Sequence, residues 1–122
     1  VHGKNVLIVD DIIASGETTL KVARALKQMG AHNIYAVCSF ALFTDGHASF
    51  DAAYNDGLIT RVYASNGTYV APEILERPWY RVVNISRFIA LYIDSFNRNE
   101  SVSRLLDNTV KIRALLTQKG LL

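Results

Sequence analysis

The sequence predicts an α/β protein, an open parallel sheet flanked by helices, and three observations carry that prediction. The run "NVLIVDD" at residues 5–11 and the run "NIYAVCSF" at residues 33–40 are short, aliphatic and rich in β-branched residues. Such runs suit strands covered on both faces, as in a parallel sheet between helix layers. Between them, from Glu17 to Gly30, the residues Val22, Ala23, Leu26 and Met29 recur at helical spacing, with Gly30 as the stop. Strand, helix and strand in that order imply a right-handed crossover and parallel pairing.

The rest of the chain continues the alternation. Residues 42–46 form a loop holding Asp45 and Gly46, and a short helix follows over residues 47–55, stopped near Gly57. "ITRVYAS" is a third strand. "NGTYVAPEILERP" combines Asn-Gly with two prolines and reads as a loop with one turn of helix at residues 72–76. "YRVVNIS" is a fourth strand. Residues 86–96 place Phe88, Ile89, Tyr92, Ile93 and Phe96 on one helical face, with Ser86 as a cap. A short turn and a last helix carrying Val110, Ile112, Leu115 and Leu116 end the chain.

Composition bounds the function. The chain has 122 residues, half of them hydrophobic. It fits a single domain, 1–122, that buries about two thirds of the surface its unfolded form exposes. Thirteen basic residues against eleven acidic ones leave a formal charge of +2, too small to call for nucleic acid or a membrane. Cys38 is the one cysteine, so no internal disulfide forms, and its apolar neighbours make it a small buried thiol. There is neither a signal peptide nor an apolar run of transmembrane length, and a soluble, cytoplasmic protein is expected. Because Val1 stands almost directly before the first strand, the chain is expected to be a piece of a longer protein.

The chemistry concentrates in "VLIVDDIIASGETTL", residues 6–20. An aliphatic strand ends in two adjacent carboxylates, which repel each other unless a cation or a set of hydroxyls uses them. Small residues then lead into a helix, whose first N–H groups lack intrahelical partners. Ala14, Ser15 and Gly16 leave that backbone open to a phosphate, and Ser15, Thr18 and Thr19 add hydroxyls. Asp10 and Asp11 suit sugar hydroxyls, or Mg²⁺ through water. A phosphorylated sugar satisfies both ends. The plainer alternative is an Asp that caps a helix beside an ordinary glycine turn. A response-regulator receiver also begins with such a strand, but its phosphoacceptor position falls on Asp51, within a helical stretch, and its lysine on Lys111, in the last helix.

"VLIVDDIIASGETT" resembles the phosphoribosyl diphosphate loop of type I phosphoribosyltransferases and ribose-phosphate pyrophosphokinases. "AVCSFALFTDG", "VYASNGT" and "YRVVNISRFIALYIDSFNRNESVSRLLD" are similar, in order, to later segments of the pyrophosphokinases. The resemblance covers nearly the whole chain and is to the carboxyl-terminal half of such an enzyme, with a phosphoribosyltransferase-like, Rossmann-like fold. It implies transfer of diphosphate from ATP to ribose 5-phosphate, giving phosphoribosyl diphosphate and AMP, with Mg²⁺ accompanying ATP. It further implies that Asp10 and Asp11 take the ribose hydroxyls and that Ala14, Ser15, Gly16, Glu17 and Thr18 take the 5-phosphate. No catalytic residue and no direct metal ligand is assigned. Ser101, Val102 and Ser103 match a segment that binds a regulatory phosphate or ADP in some members, and helix capping explains these serines equally well.

The chain departs from the pyrophosphokinase pattern at Ala14, where many members carry Asp, in the earlier Gly16, and at Phe40 and Ala41, which replace His-Gly. Two other functions therefore stand beside the first: a phosphoribosyltransferase, and a non-catalytic relative that binds phosphates and regulates a partner. The family assembles into rings, so a homo-oligomer is expected. The histidines have no ligand-like spacing. Tyr63, Tyr69, Trp79 and Tyr80 are expected in packing, and Arg77 and Arg81 on a solvated face.

Overall fold

Four strands pair in parallel in the order β1-β2-β3-β4, the same order in which the chain lays them down. The computed structural model describes residues 1–121. Its first compact unit, Val1–Asn84, holds β1 (Val6–Ile13), α1 (Glu17–Gln28), β2 (Ile34–Ala41), α2 (Ala48–Asn55), β3 (Arg61–Ser65), α3 (Pro72–Leu75) and β4 (Tyr80–Val83). The second unit, from Ile85 onward, holds α4 (Ser86–Asn97), α5 (Ser103–Leu106) and α6 (Thr109–Gln118). The predicted element order is the observed one, except that the turn expected before the last helix contains the short helix α5. Among the described residues no helix is long and apolar enough to cross a membrane.

In a sheet laid down in sequence, right-handed crossovers put every connecting helix on the same side. Leu20 of α1, Phe50 and Ala53 of α2 and Ile74 of α3 accordingly share one buried cluster with Ala36, Val62 and Ala64 of the sheet. The opposite face is open: Leu7 is 57 % and Val9 74 % exposed. The expectation that the first strand is covered on both faces is therefore corrected, since its apolar run alternates between a packed and a bare side. The face of α1 is corrected too. Thr19, Leu20 and Ala23 are its buried residues, whereas Val22 and Met29 are exposed.

The thickest part of the core lies under α2 and is aromatic. Phe50 stacks on Trp79 at 5.3 Å, and Phe43 meets Phe50 edge-on at 5.2 Å and Trp79 at 5.6 Å. Trp79 and Tyr80 are almost wholly buried, as packing residues should be, and Tyr63 is half-buried, whereas Tyr69 is 79 % exposed and is not a core residue. The indole N–H of Trp79 would be costly to bury alone, and it donates to Asp51 Oδ1 at 2.7 Å. Asp51 Oδ2 stands 2.8 Å from His47 Nδ1, and Arg77 lies 3.6 Å from Oδ1 and 3.3 Å from His47 Nε2. With Arg77 donating to Nε2, these contacts assign the imidazole proton to Nδ1, which donates to Asp51. Arg77 thus pairs with Asp51 and His47 while its side chain stays partly exposed. Arg81 donates to the carbonyls of Tyr80 and Arg77.

In the second unit, Phe88 and Tyr92 lie 4.7 Å apart and Tyr92 and Phe96 6.3 Å apart along α4. Ser86 is the first helical residue rather than the cap, which is Ile85.

Partial burial works to raise the Asp51 pKa, but the bonds from Trp79 and His47 and the charge of Arg77 outweigh it and hold the carboxyl below its ordinary 3.8. A depressed carboxyl stabilises the fold above its ordinary pKa and loses that contribution as pH falls through the lowered value. Urea unfolding of the wild type should therefore become easier as pH drops below about 4, with a shallower dependence in Asp51→Asn. At neutral pH, Asp51→Ala should cost about 1–3 kcal/mol by stranding the indole N–H.

Candidate functional site

β1 is an edge strand that ends at the loop leading into α1, and the two enclose an open cavity of about 300 Å³. Asp10, Ala14, Ser15, Gly16, Thr18 and Thr19 line it. It lies at the carboxyl end of a parallel strand, where open α/β sheets take their ligands.

The acidic end follows from strand register. Asp10 is half-buried on the helix-covered side and pairs with Cys38 across the ladder. Asp11, the next residue, is exposed and is not part of the cavity lining. The Asp11 N–H donates to Asp10 Oδ1 at 2.9 Å, and the Ile12 N–H donates to Asp11 Oδ1 at 2.8 Å. Each carboxylate so gives up part of its accepting capacity and keeps the rest for hydroxyl donors. Burial pushes the Cys38 thiol up to about 11, opposed by the Ile13 backbone and helped by the charge of Asp10. Cys38, outside the cavity lining, is therefore a neutral thiol at neutral pH.

The other end is a helix start. Gly16 occupies the cap position of α1 with φ +86° and ψ 0°, a left-handed conformation that costs a side-chain-bearing residue energy. Space demands glycine as well, because a Cβ there would lie 2.1 Å from Phe50 Cε2. The turn aims the first N–H groups of α1 at the loop, where their partial positive charge favours an anion. Ser15 Oγ accepts the Glu17 N–H at 3.4 Å, and the Leu20 N–H closes the first turn on the Gly16 carbonyl at 2.9 Å. Among the described residues no Lys or Arg lines this cavity, so backbone and hydroxyl donors are what it offers a phosphate.

Five of the seven residues expected for the sugar phosphate thus meet in one cavity: Asp10, Ala14, Ser15, Gly16 and Thr18. Glu17 is exposed and instead borders a neighbouring cavity of about 460 Å³, together with Arg24 and Asp45. Ser101, Val102 and Ser103 lie in the second unit, where Ser101 Oγ accepts the Ser103 N–H at 3.3 Å and sits 3.0 Å from Ser103 Oγ. The cap position of α5 is Val102, without a side-chain cap bond, so Ser101 makes a local serine turn ahead of the helix and does not cap it.

The sequence reading missed the brace behind the loop. The Leu42 and Thr44 N–H groups donate to the carbonyls of Ile13 and Ala14 at 2.8 and 3.0 Å, clipping the segment after β2 to the cradle. Phe43 between them is buried at φ +48°, a strained value for a bulky residue. The "TDG" turn that follows was the available signal, but it marks a loop without saying what the loop touches.

Residues 1–107 match the profile of the family described as Phosphoribosyl synthetase-associated domain. A ribose-phosphate pyrophosphokinase of Pasteurella multocida is 33 % identical over 105 residues, covering 86 % of this chain and 32 % of that protein. The enzyme of that name from Pyrococcus abyssi is 50 % identical over 46 residues, 38 % of this chain and 16 % of its own. The crystal structure of phosphoribosylpyrophosphate synthetase from Mycobacterium smegmatis superposes with a TM-score of 0.69 at 21 % identity, covering 81 % of this chain and 32 % of that one. The chain spans about a third or less of the relatives it matches. These matches do not support the placement in the carboxyl-terminal half of such an enzyme.

Gly16→Ala should lower the unfolding free energy by about 2–4 kcal/mol, combining the left-handed strain with the clash on Phe50. Chemical denaturation of the two proteins side by side checks this, and equal stability would refute the account of the turn.

Proposed function

Because the chain belongs to the phosphoribosyl synthetase-associated domain family, we propose that it supplies the ribose 5-phosphate cradle of a ribose-phosphate pyrophosphokinase. One observation carries the reading: Asp10 lines the same cavity as Ala14, Ser15, Gly16 and Thr18. Carboxylate oxygens accept from ribose hydroxyls, and helix-start N–H groups donate to the 5-phosphate. One molecule that carries both groups spans the cradle, whereas inorganic phosphate or ribose meets only half of it. Asp11, exposed beside Asp10, takes the remaining hydroxyl.

In the proposed reaction the anomeric hydroxyl oxygen of ribose 5-phosphate attacks the β-phosphorus of ATP. The bond from that phosphorus to the α,β-bridging oxygen breaks, a C1–O–P bond forms, the hydroxyl proton is lost, and AMP leaves. The contribution of this chain is to hold the nucleophilic oxygen in line. Mg²⁺ bound to ATP neutralises charge on the transferred group. Among the described residues no three acidic, imidazole or thiol groups converge on a metal position. The donor set therefore fits Mg²⁺ held chiefly by phosphate oxygens and water, with Asp10 or Asp11 as an outer partner. The reading also includes assembly of several copies, for which edge strand β1 with exposed Leu7 and Val9 offers a pairing surface.

In calorimetry with Mg²⁺ present, ribose 5-phosphate should bind this chain more tightly than inorganic phosphate or ribose. Asp10→Asn should weaken the phosphosugar by about tenfold, the worth of one charge-assisted hydrogen bond, and leave phosphate within about twofold. Equal affinity for phosphate and phosphosugar, or an Asn variant that binds like the wild type, would remove the cradle. In the parent enzyme, AMP from ATP and ribose 5-phosphate supports this reading, and diphosphate release with a nitrogenous base supports a transferase.

A further inference from the structure

We propose that Phe50, a core residue of α2 outside the cavity lining, is the positioning residue that holds the phosphate loop in its binding shape. The inference rests on the ribose 5-phosphate reading for its ligand but not for its geometry. Phe50 is fully buried, and its ring occupies the space into which a Cβ on Gly16 would point. The left-handed turn of Gly16 thus rests directly on that ring. The same ring meets Phe43 edge-on at 5.2 Å, and Phe43 lies between the two N–H groups clipped to the carbonyls of Ile13 and Ala14. One side chain therefore touches both supports of the loop: the turn that opens α1 and the strained residue of the brace.

The ring is itself held in place. It stacks on Trp79 at 5.3 Å with 26° between the planes. Trp79 is bonded to Asp51, the residue after Phe50, so α2 cannot slide without breaking a part-buried hydrogen bond. A buried aromatic in a close-packed core has few ways to relax. Its position passes to the Gly16 turn, and from there to the N–H groups that face a phosphate.

The test compares Phe50→Leu with Ile34→Ala, a change in the separate cluster formed by Ala23, Ala31 and Ile34. Two quantities are read. The first is calorimetric affinity for ribose 5-phosphate. The second is hydrogen exchange at the amides of Leu20 and Thr44, whose acceptors are the loop carbonyls of Gly16 and Ala14. Phe50→Leu should weaken binding by about fivefold or more and speed exchange at both amides by about tenfold. Ile34→Ala, with an equal or larger fall in Tm, should move each by less than about twofold. The proposal is overturned if Phe50→Leu leaves exchange at Leu20 and Thr44 at the wild-type rate, or if Ile34→Ala shifts them as much. Should the wild type fail to bind the phosphosugar, the ligand reading falls, and the exchange comparison still decides the role of Phe50.

Discussion

The left-handed turn at Gly16, seated on the ring of Phe50, is the constraint on which the rest of the site depends. It converts the end of a strand into the start of a helix within three residues, and so brings the Asp10 carboxylate and helix-start N–H groups to the same cavity. Neither end is unusual alone. Acids near the carboxyl end of a strand, as Asp10 and Asp11 are within β1, are common, and every helix has an electropositive start. Their close apposition distinguishes the cradle, and it requires a residue without a side chain at Gly16 together with a rigid surface beneath it.

That surface explains why so much aromatic mass lies below a small loop. Phe43, Phe50, Trp79 and Tyr80 form one contiguous block, in which the Trp79 indole nitrogen is bonded to Asp51 while the buried Tyr80 hydroxyl makes no hydrogen bond among the described residues. His47 and Arg77 then hold Asp51 from the solvent side. Sheet order leads to the same place. Strands laid down in sequence with crossovers of one hand put α1 and α2 side by side, so the start of α1 has α2 for its neighbour. The cost of that topology is a second sheet face without cover, where Val9 remains 74 % exposed.

Much of this was legible in the sequence, and the failures have physical causes. The aliphatic runs, Gly30 and Gly57 marked the strands and helices of the first unit, because period and turn chemistry are local properties. The cradle was legible because its parts are contiguous in the chain, from Asp10 to Thr18. Covering the first strand on both faces was wrong because "VLIV" reads identically whether its second face is packed or bare. The buried face of α1 was misjudged because Thr19, not Met29, turns toward the sheet, and a threonine carries no apolar signal. β4 stops at Val83, short of the predicted Ser86, and the next residue, Asn84, accepts a side-chain hydrogen bond from the Asn66 amide at its Oδ1. Phe50 was invisible as a site residue, since its partner Gly16 lies 34 positions away and only tertiary structure joins them. The order of motifs along the chain carried the family, whereas the placement in the carboxyl-terminal half of such an enzyme is not supported by the matches.

The most direct test of the central claim is an amide chemical-shift titration of the isotopically labelled chain with ribose 5-phosphate. The account predicts that the amides of residues 15–19 and of Asp10 and Asp11 shift together along one saturation curve, while inorganic phosphate moves only the residues 15–19. Shifts confined to residues 101–103, or acids that stay still while the loop responds, would contradict a single cradle built from strand end and helix start.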